Sequence, residues 1–251
     1  MMRLLFLASG SKGNATLIAT ERSFIQIDMG VSLKTLKKGC AFFDKTIEDI
    51  QALFITHEHA DHVSGVPLLH DKVPLYASEG TLKEENVHLI EDGVAVEFED
   101  ISILPFAASH DAANPMNFLL LQPGLKFGYV TDTGILLEGG EALLKNCDGY
   151  LFESNHDLKM LRLSSRPPCL KRRIRGEQGH LSNLQAAEYL SDLIGEKTKK
   201  IFLAHLSEEC NTPETALQTF QKVFARNEVD FPMENIVPTK QWEFVDGGQW
   251  Q

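Results

Sequence analysis

Thr56-His57-Glu58-His59-Ala60-Asp61-His62 follows directly on the apolar run Ala52-Leu53-Phe54-Ile55. A short apolar run of this kind predicts a buried strand, so the histidines stand where a strand ends and a loop begins. Residues two apart in extended chain point the same way, and His57 and His59 therefore converge on one point. The tight step through Ala60 then presents Asp61 and His62 as a second group. Three imidazoles and the Asp61 carboxylate within six residues are costly to pack without a partner. Together they suit a hard-to-borderline divalent cation, and their two-way division suits a pair of ions. The helical HExxH pattern is a different arrangement, because no histidine follows His57 at the offset it requires.

Outward from this motif the chain alternates short apolar runs with turn and helix signals. Strands are expected at 3–7, 14–19 and 23–28, the last two as a hairpin. The glycine- and serine-rich stretch 8–14 is a tight turn, since it lacks the GKS/T ending of a nucleotide loop. A helical region is expected within 31–50, and a helix opening over 63–69 with Ser64 as its cap and Pro67 in its first turn. Further strands fall at 73–77, in a hairpin over 94–106, at 117–121 and 126–131 around Pro123-Gly124, at 149–152 and at 201–204. Helices are expected over 137–144, from Ser182, where Ser182-x-x-Gln185 resembles a capping box, and from Asn211 or Thr212 with Pro213 to about residue 226. The tail after 231 is less ordered in pattern, with a possible strand at 236–237 and a turn at Gly247-Gly248.

The 251 residues carry 43% apolar side chains, 24% charged ones and a formal net charge of -11. These values describe an ordinary soluble globular protein and argue against a general nucleic-acid coat protein, though not against a local basic site. Four cysteines without a CxxC pair are too sparse for a disulfide framework, and the apolar start at 1–8 is too short for a usual signal core or a membrane span. An intracellular, cytoplasmic protein of one domain spanning 1–251 is the expectation.

His57-x-His59-x-Asp61-His62 resembles the signature of the metallo-β-lactamase fold superfamily. The resemblance implies an α+β fold, a four-layered αββα sandwich of two mixed β-sheets flanked by helices. It also implies three later ligands, and His110, Asp132 and His205 match their places, each at the end of a predicted strand. On that pattern His57, His59 and His110 hold one metal, Asp61, His62 and His205 the other, and Asp132 bridges them. Asp28 is a carboxylate behind the ligands by the same resemblance, or a plain strand-end turn carboxylate. His70 and His88 lie outside the pattern and are expected at the surface or at helix ends.

The superfamily hydrolyses β-lactams, thioesters, lactones and phosphodiesters, so fold alone does not decide function. Glu153-x-Asn155-His156-Asp157, Gly179-His180-Leu181-Ser182-Asn183 and His205-Leu206-Ser207 with Asn211 resemble the YycJ/WalJ-like branch. That resemblance implies a 5'-to-3' exonuclease on double-stranded DNA. Between 159 and 175 stand seven basic residues and no acidic one. Lys171, Arg172, Arg173 and Arg175 are the candidate contacts to a phosphate backbone, unless the segment is a solvated loop. Asp61, His156 and His180 are the candidate catalytic groups. The two histidines can donate to a phosphoryl oxygen, protonate the leaving 3'-oxygen, or orient a carboxylate ligand; Glu153 and Asn155 stand behind the metals in that supporting role. Only 72 residues separate Asp132 from His205, too few for the capping insertion of the RNA-processing relatives. The expected cofactors are two divalent ions, zinc or manganese, and the expected partner is DNA, with no membrane. A thioester or lactone hydrolase on the same metals, and a non-catalytic metal-binding scaffold, are the alternatives.

Overall fold

The computed structural model describes residues 1–69, 71–239 and 242–246; His70 and the expected turn at Gly247-Gly248 lie outside them. Strands are numbered along the chain. One sheet holds β1 (Arg3–Ala8), β2 (Ala15–Ala19), β3 (Phe24–Ile27), β4 (Ala52–Phe54), β5 (Leu75–Ala77), β6 (Val87–Leu89) and β14 (Glu243–Val245). The other holds β7 (Val96–Glu97), β8 (Ser102–Ala107), β9 (Met116–Gln122), β10 (Leu125–Val130), β11 (Gly149–Glu153), β12 (Lys200–Ala204) and β13 (Ile236–Pro238). Their orders are β14-β1-β2-β3-β4-β5-β6 and β13-β12-β11-β10-β9-β8-β7. Both sheets are mixed: β3 through β6 run parallel, as do β10 through β13, and the remaining pairs are antiparallel.

The central strands are apolar on both faces because both faces are covered. In β1, Leu4 and Phe6 face the second sheet, while Leu5 and Leu7 face outward. In β12, Phe202 and Ala204 turn inward, and Ile201 and Leu203 outward. Phe6 meets Phe202 edge-on across the two sheets at 5.3 Å, and Phe54 meets Phe118 at 5.7 Å. Outside the first sheet lies α1 (Leu33–Phe42), which buries Leu36 and Cys40. Outside the second lie α6 (Asn183–Leu193) and α7 (Pro213–Arg226), through Ala187, Leu190, Phe220 and Phe224. The result is the α+β sandwich of two mixed sheets flanked by helices. All four cysteines are free, and no helix among the described residues is long and apolar enough to cross a membrane.

Several local expectations are corrected. The helix expected over 63–69 begins earlier: α2 spans Ala60–Val63 with His59 at its cap, and Ser64 closes it instead of opening it. The cause is local, since the His59 carbonyl already accepts from the His62 and Val63 amides. Pro67 sits in a separate 3-10 turn, Val66–Leu68. The region 31–50 holds α1 to Phe42, a turn through Asp44 at φ 56°, and then a 3-10 turn at Ile47–Asp49. The short helix α3 spans only Gly140–Leu144. His88, in strand β6 and stacked on Tyr76 at 4.7 Å, is at the surface as expected. The tail adds β14, paired with β1. The basic segment forms two helices, α4 (Leu158–Leu163) and α5 (Pro168–Arg175).

Candidate metal centre

Parallel alignment brings the carboxyl ends of β3, β4, β10, β11 and β12 to one edge of the two sheets; β8, antiparallel to β9 as is β10, ends there too. Asp28 follows β3, His57 follows β4, His110 follows β8, Asp132 follows β10, Glu153 ends β11 and His205 follows β12. Asp28, Asp132 and His205 take left-handed backbone angles, φ 58°, 48° and 57°. That conformation costs a non-glycine residue about 1 kcal/mol or more, and here it turns the chain sharply so that the side chain faces the edge. Gly30 allows the neighbouring loops to close on one another: a Cβ there would lie 1.6 Å from the Asp61 carbonyl oxygen. In that closure the Asn14 amide donates to the same Asp61 carbonyl at 2.7 Å, and the Met29 amide to the His62 carbonyl at 2.7 Å.

Among the described residues, three sets of metal-ligating atoms result, each with its atoms within 4.8 Å of one another: His57, His59 and His110; His57, His62 and Asp132; and Asp132, Glu153, His180 and His205. Asp61 joins through Oδ2, 3.5 Å from His62 Nε2 and 4.0 Å from His205 Nε2. Asp132 links the sets, with Oδ2 3.2 Å from His62 Nε2 and Oδ1 3.3 Å from His205 Nδ1. All seven residues expected as ligands are therefore brought together.

One nitrogen of most rings is tethered and the other is left facing the centre. His62 Nδ1 pairs with Asp28 Oδ2 at 2.8 Å, and Asp28 also accepts from the Thr56 amide and hydroxyl. His57 Nδ1 meets the Thr56 hydroxyl at 3.0 Å, His110 Nδ1 the Gly179 carbonyl at 2.9 Å, and His205 Nδ1 Glu153 Oε1 at 2.9 Å. Nε2 of His57 and of His205 are buried without any hydrogen-bond partner. Buried polar atoms are rarely left so, and tethering one ring nitrogen is how proteins present the other to a metal. The donor set of imidazoles and carboxylates, with two orphaned ring nitrogens aimed inward, fits a pair of divalent ions.

The charges at this edge are shared. Burial opposes protonation of His62, but Asp28 and Asp132 overcome it and hold the ring well above its ordinary value. Burial likewise opposes ionisation of Asp132, which His205 and His62 nevertheless hold well below the usual range. Glu153 is pushed down to about 2, as His180 and His205 outweigh burial. His205 is raised to about 9, as Asp132 and Glu153 outweigh burial. Burial dominates at His57 and His110, which are lowered, and at Asp28, which is raised.

The supporting residues sort unevenly. Glu153 is fully buried and accepts from His180 at 2.8 Å, from His205 and from the Thr133 amide. Asn155 Nδ2 donates to the His205 carbonyl at 2.9 Å. His180 stands on the rim with 18% of its side chain exposed. His156 joins none of the three sets: it is 1% exposed, with both ring nitrogens unpartnered and its pKa lowered by burial to about 4. Among the cations, Lys171 donates to the Arg162 and Ser164 carbonyls, and Arg173 forms a two-pronged pair with Asp111, the neighbour of His110. Arg172 and Arg175 are exposed on α5. Sequence reasoning missed Asn14 and Thr56. Asn14 Nδ2 lies 3.1 Å from Asp61 Oδ2 and 2.9 Å from His62 Nε2, and its place at the start of a strand carries no signal for that role.

Residues 27–205 match the family model described as the beta-lactamase superfamily domain. The exodeoxyribonuclease WalJ of Streptococcus pneumoniae is 37% identical over 250 residues, 92% of this chain and 93% of that protein. The exodeoxyribonuclease YycJ of Bacillus anthracis is 34% identical over 229 residues, 86% of this chain and 87% of that protein. The crystal structure of the metallo-beta-lactamase fold protein YhfI from Bacillus subtilis superposes with a TM-score of 0.75 over 98% of this chain and 99% of that one, a likeness of fold at 14% identity. From the family model, the relatives and the cluster at the sheet edge together, the chain belongs to the metallo-β-lactamase fold superfamily, in its WalJ/YycJ-like branch, and is a dinuclear-metal-binding hydrolase.

Proposed function

We propose that this hydrolase is a phosphodiesterase that degrades DNA from an end, in the 5'-to-3' direction. The observation that carries the reading is the pair of relatives named exodeoxyribonucleases, similar along most of the chain. The cationic α5 beside His110 agrees with it, since exposed Arg172 and Arg175 suit backbone phosphates. His57, His59 and His110 would hold one ion, Asp61, His62 and His205 the other, with Asp132 shared between them. A pair of divalent ions held there would supply an activated nucleophile at neutral pH and charge neutralisation for phosphoryl transfer.

The protein's own part is positioning and proton control. Asp28 and Glu153 fix the ring orientations of His62 and His205, and Asn155 fixes the bend at His205. His180, partly exposed on the rim and tethered to Glu153 through Nδ1, has its other nitrogen for donation to a phosphoryl oxygen or to the leaving 3'-oxygen. We place His180 rather than His156 in that role, because His156 stands outside the cluster. Zinc or manganese suits the ligands, and free cysteines agree with a reducing, cytoplasmic setting.

End-labelled duplex DNA, single-stranded DNA and RNA, each offered to chelated protein with defined metals restored, test the reading. Release of mononucleotides from the 5' end of duplex DNA is expected. Poor DNA cleavage at every salt concentration, together with rapid hydrolysis of a thioester or lactone, would overturn it.

A further inference from the structure

The first turn of α6 borders a cleft of about 200 Å³ lined by His156, Leu158, Arg175, Ser182, Leu184 and Gln185. Three features of this cleft favour an anion. Ser182, Leu184 and Gln185 are the cap and opening residues of an 11-residue helix with no acid in its first turn, and such an end carries partial positive charge. Arg175 supplies a full cation, and it is exposed. His156 is 1% exposed, with neither ring nitrogen hydrogen-bonded; a neutral imidazole always carries one N–H donor, and an orphaned buried donor is costly. Ser182 itself is committed to the capping box with Gln185, so the imidazole and the guanidinium are the groups left for a ligand. Leu158 and Leu184 add apolar walls suited to a sugar.

The cleft adjoins the metal centre along the chain. His156 follows Glu153 by three residues, and Ser182 follows His180 by two; a bridge between His156 and Ser182 ties the two segments. We infer that this cleft is a second phosphate subsite, in which His156 and Arg175 hold a phosphate of the substrate strand other than the one being hydrolysed. This rests on the nuclease reading above. A phosphate held beside the scissile one sets which bond reaches the centre and spaces successive cuts. The same chemistry serves a 5'-terminal phosphate or an internal diester.

The test uses metal-loaded protein, duplexes bearing a 5'-phosphate or a 5'-hydroxyl, and the variants Arg175→Gln and His156→Gln. Each variant is expected to raise KM by roughly tenfold, the loss of one charge-assisted hydrogen bond. An increase confined to 5'-phosphorylated duplex assigns the terminal phosphate, and an equal increase on both duplexes assigns an internal one; unchanged KM on both overturns the subsite. Should His156→Gln fail to fold, the response of the His156 ring to phosphate decides. Titration of the zinc-loaded protein with inorganic phosphate, followed through the His156 ring resonances, separates this inference from the nuclease reading. Shifts that Arg175→Gln abolishes support the cleft even if no DNA is cut. A ring unmoved by millimolar phosphate in a protein that does digest DNA overturns the cleft alone.

Discussion

Asp132 Oδ1 and Oδ2 lie within 4.0 Å of ring nitrogens on His62, His110, His180 and His205. Asp132→Asn keeps the shape and removes the charge. We expect it to lose metal from both sites and to lower the rate roughly a hundredfold or more, since even groups behind a ligand cost 10–100-fold. Two ions per chain by elemental analysis, with normal kinetics in this variant, would refute the shared role. The same residues set a pH dependence in the metal-free protein. His205, raised to about 9 from an ordinary 6.5, contributes stability that is full below 6.5 and lost as pH rises through 9; His62, also raised, acts in the same direction. His57 and His110 are lowered, and His156 falls to about 4; their contribution is full above 6.5 and lost as pH falls. Glu153, down to about 2 from 4.5, adds stability that is lost only in stronger acid. Metal-free protein is therefore expected to melt highest near pH 6.5 and progressively lower toward pH 9 and toward pH 4. A melting temperature that climbs steadily to pH 9 would contradict these charges.

Helix α5 shows how one element divides its cations between structure and substrate. Lys171 closes the end of α4 by donating to the Arg162 and Ser164 carbonyls, and Arg173 anchors α5 to Asp111. The side chains of Arg172 and Arg175 are exposed and form no ion pair or hydrogen bond among the described residues. The double variant Arg172→Gln, Arg175→Gln is therefore expected to fold normally. It should flatten the dependence of log K on log salt by about 2, nearly one unit for each phosphate no longer neutralised. An unchanged slope would make α5 a solvated face. Lys171→Ala, by contrast, should lower the melting temperature, because it frees carbonyls at a helix end.

Across the whole molecule the centre depends on two sheets held in register. Phe202, 2% exposed, packs edge-on against Phe6 of the opposite sheet, and three residues further along the chain His205 reaches the edge. Phe202→Ala should cost about 3–5 kcal/mol, read as a lower midpoint in urea denaturation. It should also weaken metal retention, because β1 and β12 carry opposite walls of the site: the Ser9 hydroxyl, just past β1, accepts from the His205 amide at 2.9 Å. A variant that unfolds at the native midpoint would show that the two sheets do not share one core at this point.

The sequence by itself determined where the ligands stand along the chain and which runs become central strands. Each expected ligand after β4, β8, β10 and β12 follows an apolar run closed by polar residues, and burial of both faces demands such runs. The cap of α6 and the Thr212 cap of α7 were legible for the same reason, as local hydrogen-bonding chemistry within three residues. What lay beyond the sequence is non-local. Asn14 meets Asp61 across 47 positions, and Ser9 meets His205 across 196. Strands β6 and β14 exist because a neighbouring edge accepts them, with little apolar signal of their own. The division of the cations on α5, the isolation of His156 and the left-handed turns at Asp28, Asp132 and His205 were likewise decided in the folded chain. Periodicity reports only what a residue does with its near neighbours; which distant carboxylate, carbonyl or edge completes its hydrogen bonds is settled when the two sheets close.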